Sequence, residues 1–379
     1  MGPLKGFKII EIAGIGPGQF AGMLLADMGA SVVRIERPVN EEPVFAADAR
    51  FNIMNRSRPT VGVDLKTPQG VQLVLDLCAD ADAIFEGFRP GVMERLGLGP
   101  DACMARNKKL VYGRMTGWGQ QGPLASSIGH DANFIALAGV YAAIGDKGGG
   151  PVYPLNLVGD MGGGGAYLVI GLLSALLEAA KSGQGQVIDA AMVDGAASQM
   201  SSIWGFKAAG AWKDERGSNV LDGGAPFYTA YRTRDGGYLA VAPIENRFYR
   251  NLLEVLGLDD IDPARQHDPS QWDTVRQKLQ AVFETRTRDE WCELLEGTET
   301  CCTPILHMSE VTTHPQHVAR HTFVDIDGVT QPAPAPRFSR TVSEIGCAAG
   351  PARSDLFNVL RHWGASDEAL ASLAEEDQA

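Results

Sequence analysis

Lys8-Ile9-Ile10-Glu11-Ile12-Ala13-Gly14-Ile15-Gly16-Pro17-Gly18-Gln19-Phe20-Ala21, continued through Met28 to Ser31-Val32-Val33-Arg34-Ile35-Glu36, is the stretch that decides the fold. Lys8 to Ile12 is a short apolar run that reads as a buried strand. Gln19 to Met28 reads as a helix and Ser31 to Glu36 as a second strand. The glycines between the first strand and the helix mark a tight turn. Strand, helix and strand in this order open a parallel α/β sheet.

The alternation continues downstream. Val61 to Leu65, Ala83 to Glu86 and Lys109 to Met115 read as strands, with a helix from Thr67 to Ala79. The apolar run Ala166 to Leu177 reads as a buried helix. It falls short of a membrane span, and polar residues flank it closely. Val187 to Gly210 reads as a long small-residue helix, and Trp212 to Gly224 as a polar, glycine-containing connection.

A compact α/β piece begins near Pro226, with strands at Tyr228–Arg232 and Tyr238–Val241 and helices at Arg247–Leu256, Trp272–Thr285 and Asp289–Glu296. Asp355–Trp363 and Glu368–Ala374 look like closing helices. The expected division is a large Rossmann-like domain from 1–186 and 331–379, a linker helix and connection over 187–224, and a small α/β domain over 225–330.

The 379 residues suffice for two unequal domains, and 45% hydrophobic content suits a globular protein. A formal net charge of −13 argues against nucleic-acid binding, which needs a dominant basic field. The six cysteines form no C-x-x-C pair, so free thiols in a reducing compartment are expected. The N-terminus shows no signal-peptide pattern. A cytoplasmic or organelle-matrix enzyme without membrane attachment follows as the expectation.

Gly16-Pro17-Gly18-Gln19-Phe20-Ala21 matches the G-x-G-x-x-A variant of the dinucleotide fingerprint, and Glu36 ends the next strand at a suitable distance. The match is a weak signal, because a glycine turn before a helix is common in β-α-β units, and Pro17 removes one N–H from the loop. Arg34, Arg37, Lys66, Arg89 and Arg95 lie near the ends of strands. Cations there suit a phosphorylated ligand such as coenzyme A or NADP. Individually, each also reads as part of a solvated basic rim.

His130-Asp131 and Asp160 stand thirty residues apart, and Asp160 opens the run Asp160-Met161-Gly162-Gly163-Gly164-Gly165 before a helix. A glycine-rich helix start offers backbone N–H groups to a ligand oxygen. Such a place suits chemistry that builds negative charge on oxygen. His314, His317 and His321 have a spacing that invites a metal reading, but Pro315 interrupts it and no carboxylate or cysteine completes a site. No metal is expected.

Gly14 to Gly18, Val33 to Pro38, Asn55-Arg56 with Asp64-Leu65-Lys66, Phe88 to Val92 and Thr116 to Gln120 resemble the family III CoA-transferases over nearly the whole chain. Gly129-His130-Asp131, Asn156 to Asp160, Leu221 to Pro226 and Ile244-Glu245 resemble the branch of that family that racemises 2-methylacyl-CoA thioesters. The resemblance implies a large domain built from both chain ends and a smaller middle domain. It also implies a homodimer of interlocked chains, with the active site between one subunit's large domain and the other's small domain.

By the same resemblance, Arg37, Lys66, Arg89 and Arg95 hold the CoA nucleotide, with backbone contacts from Val63, Asp64, Leu65 and Lys66 and from Gly87, Phe88 and Arg89. Gly129, His130, Asp131 and Asn133 line the acyl end, together with Gly159, Asp160, Met161, Gly162, Gly163 and Gly164. His130, Asp160 and Glu245 match the catalytic positions. CoA is then part of the substrate, and no cofactor is expected. One departure is Asn246-Arg247 after Glu245, where racemases of this branch commonly continue with Pro-Gln.

Racemising the carbon beside a thioester means removing its hydrogen and returning one to the opposite face, which calls for two bases. His130 serves one face and Asp160 the other, while Glu245 fixes the imidazole's tautomer. The gap between the α-hydrogen and a side-chain base is roughly 14 pKa units, or about 19 kcal/mol. Stabilising the enolate oxygen therefore matters more than tuning the base, each donor contributing about 3 kcal/mol. Three rivals stand beside this reading: a CoA-transferase with Asp160 as nucleophile, an NAD(P) oxidoreductase resting on Gly16 to Ala21, and a CoA-binding protein without activity.

Overall fold

The computed structural model describes residues 2–38, 48–349, 356–367, 370, 371 and 373. The chain divides into two compact units, the first comprising Met1–Ala138, Leu155–Gln199 and Val318–Ala379, the second Gly139–Pro154 and Met200–His317.

The first unit contains β1 (Lys8–Ile12), α1 (Pro17–Asp27), β2 (Ser31–Glu36), β3 (Thr60–Gly62), α2 (Pro68–Cys78), β4 (Ala83–Glu86), α3 (Val92–Arg95), α4 (Pro100–Arg106), β5 (Val111–Thr116) and α5 (Asp131–Leu137). After α6 (Val140–Ala143), which belongs to the second unit, the first resumes. It continues with a π-helical segment Val158–Ala166, α7 (Tyr167–Ser182), β6 (Val187–Ala191) and α8 (Met192–Gln199). The sheet order is β3-β2-β1-β4-β5-β6 and every pairing is parallel. The order reverses between β1 and β4, the place where open parallel sheets leave a crevice at their carboxyl ends.

β1 and β2 are apolar at consecutive positions because helices cover both sheet faces. Ile10, Ile12, Val33 and Ile35 pack with α2 through Leu73, Val74 and Leu77. Ile9 and Val32, one residue out of phase, pack with Leu25, Phe85, Leu168 and Leu172. Thr67 caps α2 by accepting the Gly70 N–H at 3.1 Å, with Pro68 in the first turn.

Two buried arginines, both just before β3, tie separate parts of the first unit together. Arg56 donates to Asp27 at 2.6 and 3.1 Å, to the Gln331 side chain at 2.9 Å and to the Pro332 carbonyl at 2.7 Å. Arg58 pairs with Glu11 inside the sheet. Burial pushes the Glu11 carboxyl up, against the opposing pull of Arg58 and Arg34. The hairpin β10 (Phe323–Ile326) and β11 (Val329–Pro332) therefore belongs with the first unit, and not with residues 225–330 as the sequence suggested. Leu360, in the helix α15 (Leu356–His362), and Trp363 and Leu370 just beyond it join the core beside Ile10 and Val33. Most of the expected closing segment Glu368–Ala374 lies outside the described residues.

Two further expectations change. Val187 to Gly210 is not one long helix: Val187–Ala191 is the sixth strand, paired to β5 from Tyr112↔Val187 to Thr116↔Ala191, and α8 follows without a break. The helical run Leu155–Ser182 is 28 residues long, so it does not fall short of a bilayer's thickness. Half of an apolar 18-residue window within it is buried in the chain. Gly113 on β5 leaves the room that Leu168 and Leu172 occupy, since a Cβ there would lie 2.9 and 3.2 Å from their methyls.

The second unit continues with α9 (Ser201–Ala208), β7 (Thr229–Arg232), β8 (Tyr238–Val241), α10 (Asn246–Leu256), α11 (Trp272–Phe283), α12 (Arg288–Leu295), β9 (Cys302–Pro304) and α13 (Met308–Val311). α14 (Pro315–Arg320) lies at the chain boundary between the units. β7-β8-β9 form an antiparallel sheet, packed on an aromatic core that includes Phe227, Tyr231, Tyr249, Trp272, Phe283 and Trp291.

Candidate active site

The carboxyl ends of the parallel strands collect most of the predicted residues. The Gly14–Gly18 turn follows β1, Arg37 follows β2, Val63 to Lys66 follow β3 and Gly87 to Arg89 follow β4. A Cβ on Gly14 would lie 4.0 Å from the Gly87 Cα, so the turns after β1 and β4 approach each other where the strand order reverses. Arg37, Lys66, Arg89 and Arg95 are all exposed. Arg34 is not available in the same way: it is buried, lies 3.4 Å from Glu11 and pairs with Glu36. That pairing also occupies the carboxylate that the dinucleotide reading needs for a ribose.

Three of the expected backbone donors are spent within the chain. The Val63 N–H donates to the Glu36 carbonyl at 2.8 Å, the Lys66 N–H to the Asp64 carboxylate at 2.9 Å and the Phe88 N–H to the Glu86 carboxylate at 2.6 Å. These turns are shaped from below by Asp64 and Glu86. What they expose are the side chains of Lys66 and Arg89.

His130 is the N-cap residue of α5 and is exposed. Its N–H donates to the Asn133 side chain at 3.0 Å, and the Asn133 N–H returns to the His130 carbonyl at 2.8 Å. Phe134 supports this corner from beneath, edge-on to Trp118 at 4.8 Å. Gly129 makes room for that ring, since a Cβ there would lie 2.7 Å from it.

Asp160 lies in the first turn of the π-helical segment, where i→i+5 bonding leaves the leading N–H groups without intrahelical acceptors. Its own N–H is claimed by the buried Asp131 carboxylate at 2.6 Å. Asp131 thereby joins the start of α5 to the π turn, which gives it a positioning part. Asn156 donates to Asp160 Oδ2 at 3.0 Å. Partial burial raises the Asp160 carboxyl above its ordinary value; the Asn156 bond opposes this, Asp131's charge adds to it, and His130 opposes it. His130 and Asp160 thus lie within electrostatic reach of each other.

The glycine run does different work from the ligand approach expected of it. A Cβ on Gly163 would lie 2.7 Å from the Ala196 N, and one on Gly164 2.9 Å from Pro17 and from Met192. One on Gly165 would lie 2.7 Å from the Pro17 carbonyl. These glycines let the segment pack on α8 and α1. Gly159 makes room for the Asp131 carboxylate, and Gly162 borders the Gln199 side chain. Met161 and Gly162 are half-buried.

Two neighbours of Asp160 belong to recognised motifs, but the sequence assigns neither a part beside this carboxylate. Asn156, four residues before Asp160, has the spacing of a helical side-chain pair. Gly16, read as part of a nucleotide fingerprint, adopts φ +75° and places its missing Cβ 3.1 Å from Asp160 Oδ2. The turn after β1 therefore flanks the Asp160 carboxylate.

Glu245, in the second unit, is exposed at the N-cap of α10. The departure at Asn246 has a structural part: its side chain donates to the Pro263 carbonyl at 2.6 Å and to Gln266 at 3.2 Å. Buried Gln266 in turn donates to the Pro243 and Ile244 carbonyls, each at 2.9 Å. The backbone entering Glu245 is held by this network. His314 and His317 stack edge-on at 5.8 Å, and among the described residues no group of three His, Cys, Asp or Glu side chains is placed to hold a metal.

A Rossmann-type sheet with exposed cations at its strand ends, and with Asp160 and His130 as titratable neighbours near its switch point, fits the class of α/β enzymes. The chain belongs to CoA-transferase family III, whose family model matches residues 4–353. It is 41% identical over 372 residues to the alpha-methylacyl-CoA racemase of Mus musculus, covering 98% of this chain and 96% of that protein. A Mycobacterium tuberculosis protein named a probable fatty acyl-CoA transferase is 32% identical, over 78% of this chain and 80% of its own length. Among solved structures, a CaiB/BaiF family protein from Brucella suis superposes with a TM-score of 0.81 at 26% identity, covering 96% of this chain and 99% of the other.

Proposed function

We propose that this chain is a racemase that interconverts (R)- and (S)-2-methylacyl-CoA thioesters through an enolate. The observation that supports the reading most is the Asp131 bridge: the carboxylate next to His130 accepts the Asp160 N–H, so the two candidate acid/base groups, thirty residues apart in sequence, are near neighbours. The long match to a racemase from mouse supports it. One group removes the α-hydrogen and the other returns a proton to the opposite face. The burial that raises the Asp160 carboxyl suits a group that must hold a proton for part of the cycle. Backbone N–H groups in the first π turn stabilise the enolate oxygen, and Glu245 orients the imidazole.

In this reading CoA belongs to the substrate, its nucleotide lies on Arg37, Lys66, Arg89 and Arg95, and the proton transfers need neither metal nor redox cofactor. The protein works as a cytoplasmic homodimer, free of nucleic acid and membrane. Exposed Ile170, Leu177, Trp204 and Phe206 supply apolar surface for such an association, and sedimentation at micromolar concentration checks it. The main test is incubation of one epimer in D₂O. Deuterium enters the α-carbon with the wild type, and His130→Ala and Asp160→Ala each slow the exchange by about 10²–10⁴-fold.

Transfer of CoA through a thioester on Asp160 is the second reading, favoured by the half-buried Asp160 carboxylate and the transferase name of the Mycobacterium relative. Capture of an aspartyl-CoA adduct by mass spectrometry, without α-exchange, would establish it in place of the first.

A further inference from the structure

Glu86 is the last residue of β4 and is almost wholly buried. One carboxylate oxygen accepts the Phe88 N–H at 2.6 Å and the other accepts Arg114 Nε at 3.2 Å, across a register pair of β4 and β5. Arg114 then makes a two-pronged pair with Glu94 on α3, at 2.7 and 3.2 Å. The chain Glu86–Arg114–Glu94 therefore ties both ends of the Gly87–Gly91 turn to one guanidinium. Arg89 is at the middle of that turn. Arg95 folds back over its far end, its Nη1 lying 3.2 Å from where a Gly91 Cβ would be.

Neither Arg89 nor Arg95 has an ion pair with another described residue, and both are exposed. The interior carboxylate beneath them is costly: burying an ion is rarely repaid by its partner in stability alone, whereas such pairs can fix a unique geometry. A bidentate guanidinium–carboxylate pair is also directional.

We infer that Glu86, Arg114 and Glu94 are positioning residues that hold the Gly87–Gly91 turn and α3, and with them Arg89 and Arg95, in the arrangement that receives the phosphates of the CoA nucleotide. The inference rests on the acyl-CoA reading and extends it to residues that do not touch the ligand.

The test compares a CoA thioester with the matching pantetheine thioester, which lacks the nucleotide, and adds calorimetric binding of free CoA. Arg114→Met raises KM for the CoA thioester at least tenfold, with kcat within twofold and KM for the pantetheine thioester unchanged. Arg114→Lys, which keeps the charge but not the two-pronged pair, recovers part of the loss. Glu94→Ala leaves the Glu86–Arg114 pair intact and weakens CoA binding at least threefold, and it decides the matter should Arg114→Met fail to fold. Equal rises in KM for both thioesters, or unchanged CoA binding by Glu94→Ala, overturn the inference. A wild type that binds CoA with these variant effects but exchanges no α-hydrogen overturns the racemase reading and leaves the inference standing. A wild type that binds no CoA overturns both.

Discussion

The two glycine-rich segments of the first unit, Gly14–Gly18 and Gly159–Gly165, are alike in composition and differ in what their glycines are for. In the turn after β1, Gly16 has a backbone conformation that disfavours a side chain, with φ +75° and ψ −109°, and its open face borders the Asp160 carboxylate. In the π-helical segment, Gly163 and Gly164 have helical neighbours and are glycine because α8 and α1 press against them. The first segment shapes the site directly; the second shapes the scaffold that presents Asp160. Glycine alone does not distinguish a ligand cradle from a packing contact.

The contrast can be broken by adding one methyl to each side. Gly195, on α8, faces Gly163 so closely that its Cβ would overlap the Gly163 carbonyl, and neither backbone has a flexible end to yield. Gly195→Ala is expected to cost about 3 kcal/mol through overpacking, read as a fall in Tm, with activity lost only in proportion to unfolded protein. Gly16→Ala meets the end of a side chain instead. It is expected to cost about 1–2 kcal/mol of stability from backbone strain and to slow α-exchange about tenfold, equivalent to about 1.4 kcal/mol, by displacing Asp160. A Gly195 variant that is stable but inactive, or a Gly16 variant that is destabilised but fully active per folded molecule, would invert the assignment.

The same contrast explains which parts were legible in the sequence. β1, β2 and β4 were read with their observed bounds, because each is a compact apolar run bracketed by turn residues. β6 was hidden: Val187–Ala191 passes into α8 with no glycine or proline between them, and its small residues fit either period. His130 and Asp160 were singled out through the motifs around them, and the structure adds the Asp131 bridge that relates them. That bridge is a tertiary contact between residues twenty-nine positions apart, and no local pattern encodes it. The burial of Arg34 is equally non-local, since its partner Glu11 comes from the neighbouring strand.

The smallest expected effect concerns the proton affinity of Asp160, and it tests whether Asn156 and Asp131 tune the carboxylate as well as placing it. Burial is the largest influence and raises it; the Asn156 bond and His130 pull it down, and Asp131 pushes it up. In the racemase reading Asp160 acts as a base only when ionised, so the acid limb of the exchange rate against pH is expected above the ordinary aspartate value of 3.8. Asn156→Ala removes a bond to the ionised form, so the limb moves to higher pH. Asp131→Asn removes a negative neighbour while keeping an oxygen that can accept the Asp160 N–H, so the limb moves to lower pH. For stability the sign is opposite to that of a carboxylate held down by a partner. A folded-state value above the unfolded one means that the native chain holds its proton longer, so this residue's contribution is complete below 3.8 and is lost as pH rises through the raised value. Limbs that move together in the two variants would mean that the Asp131 charge does not reach Asp160, leaving the bridge a purely mechanical strut.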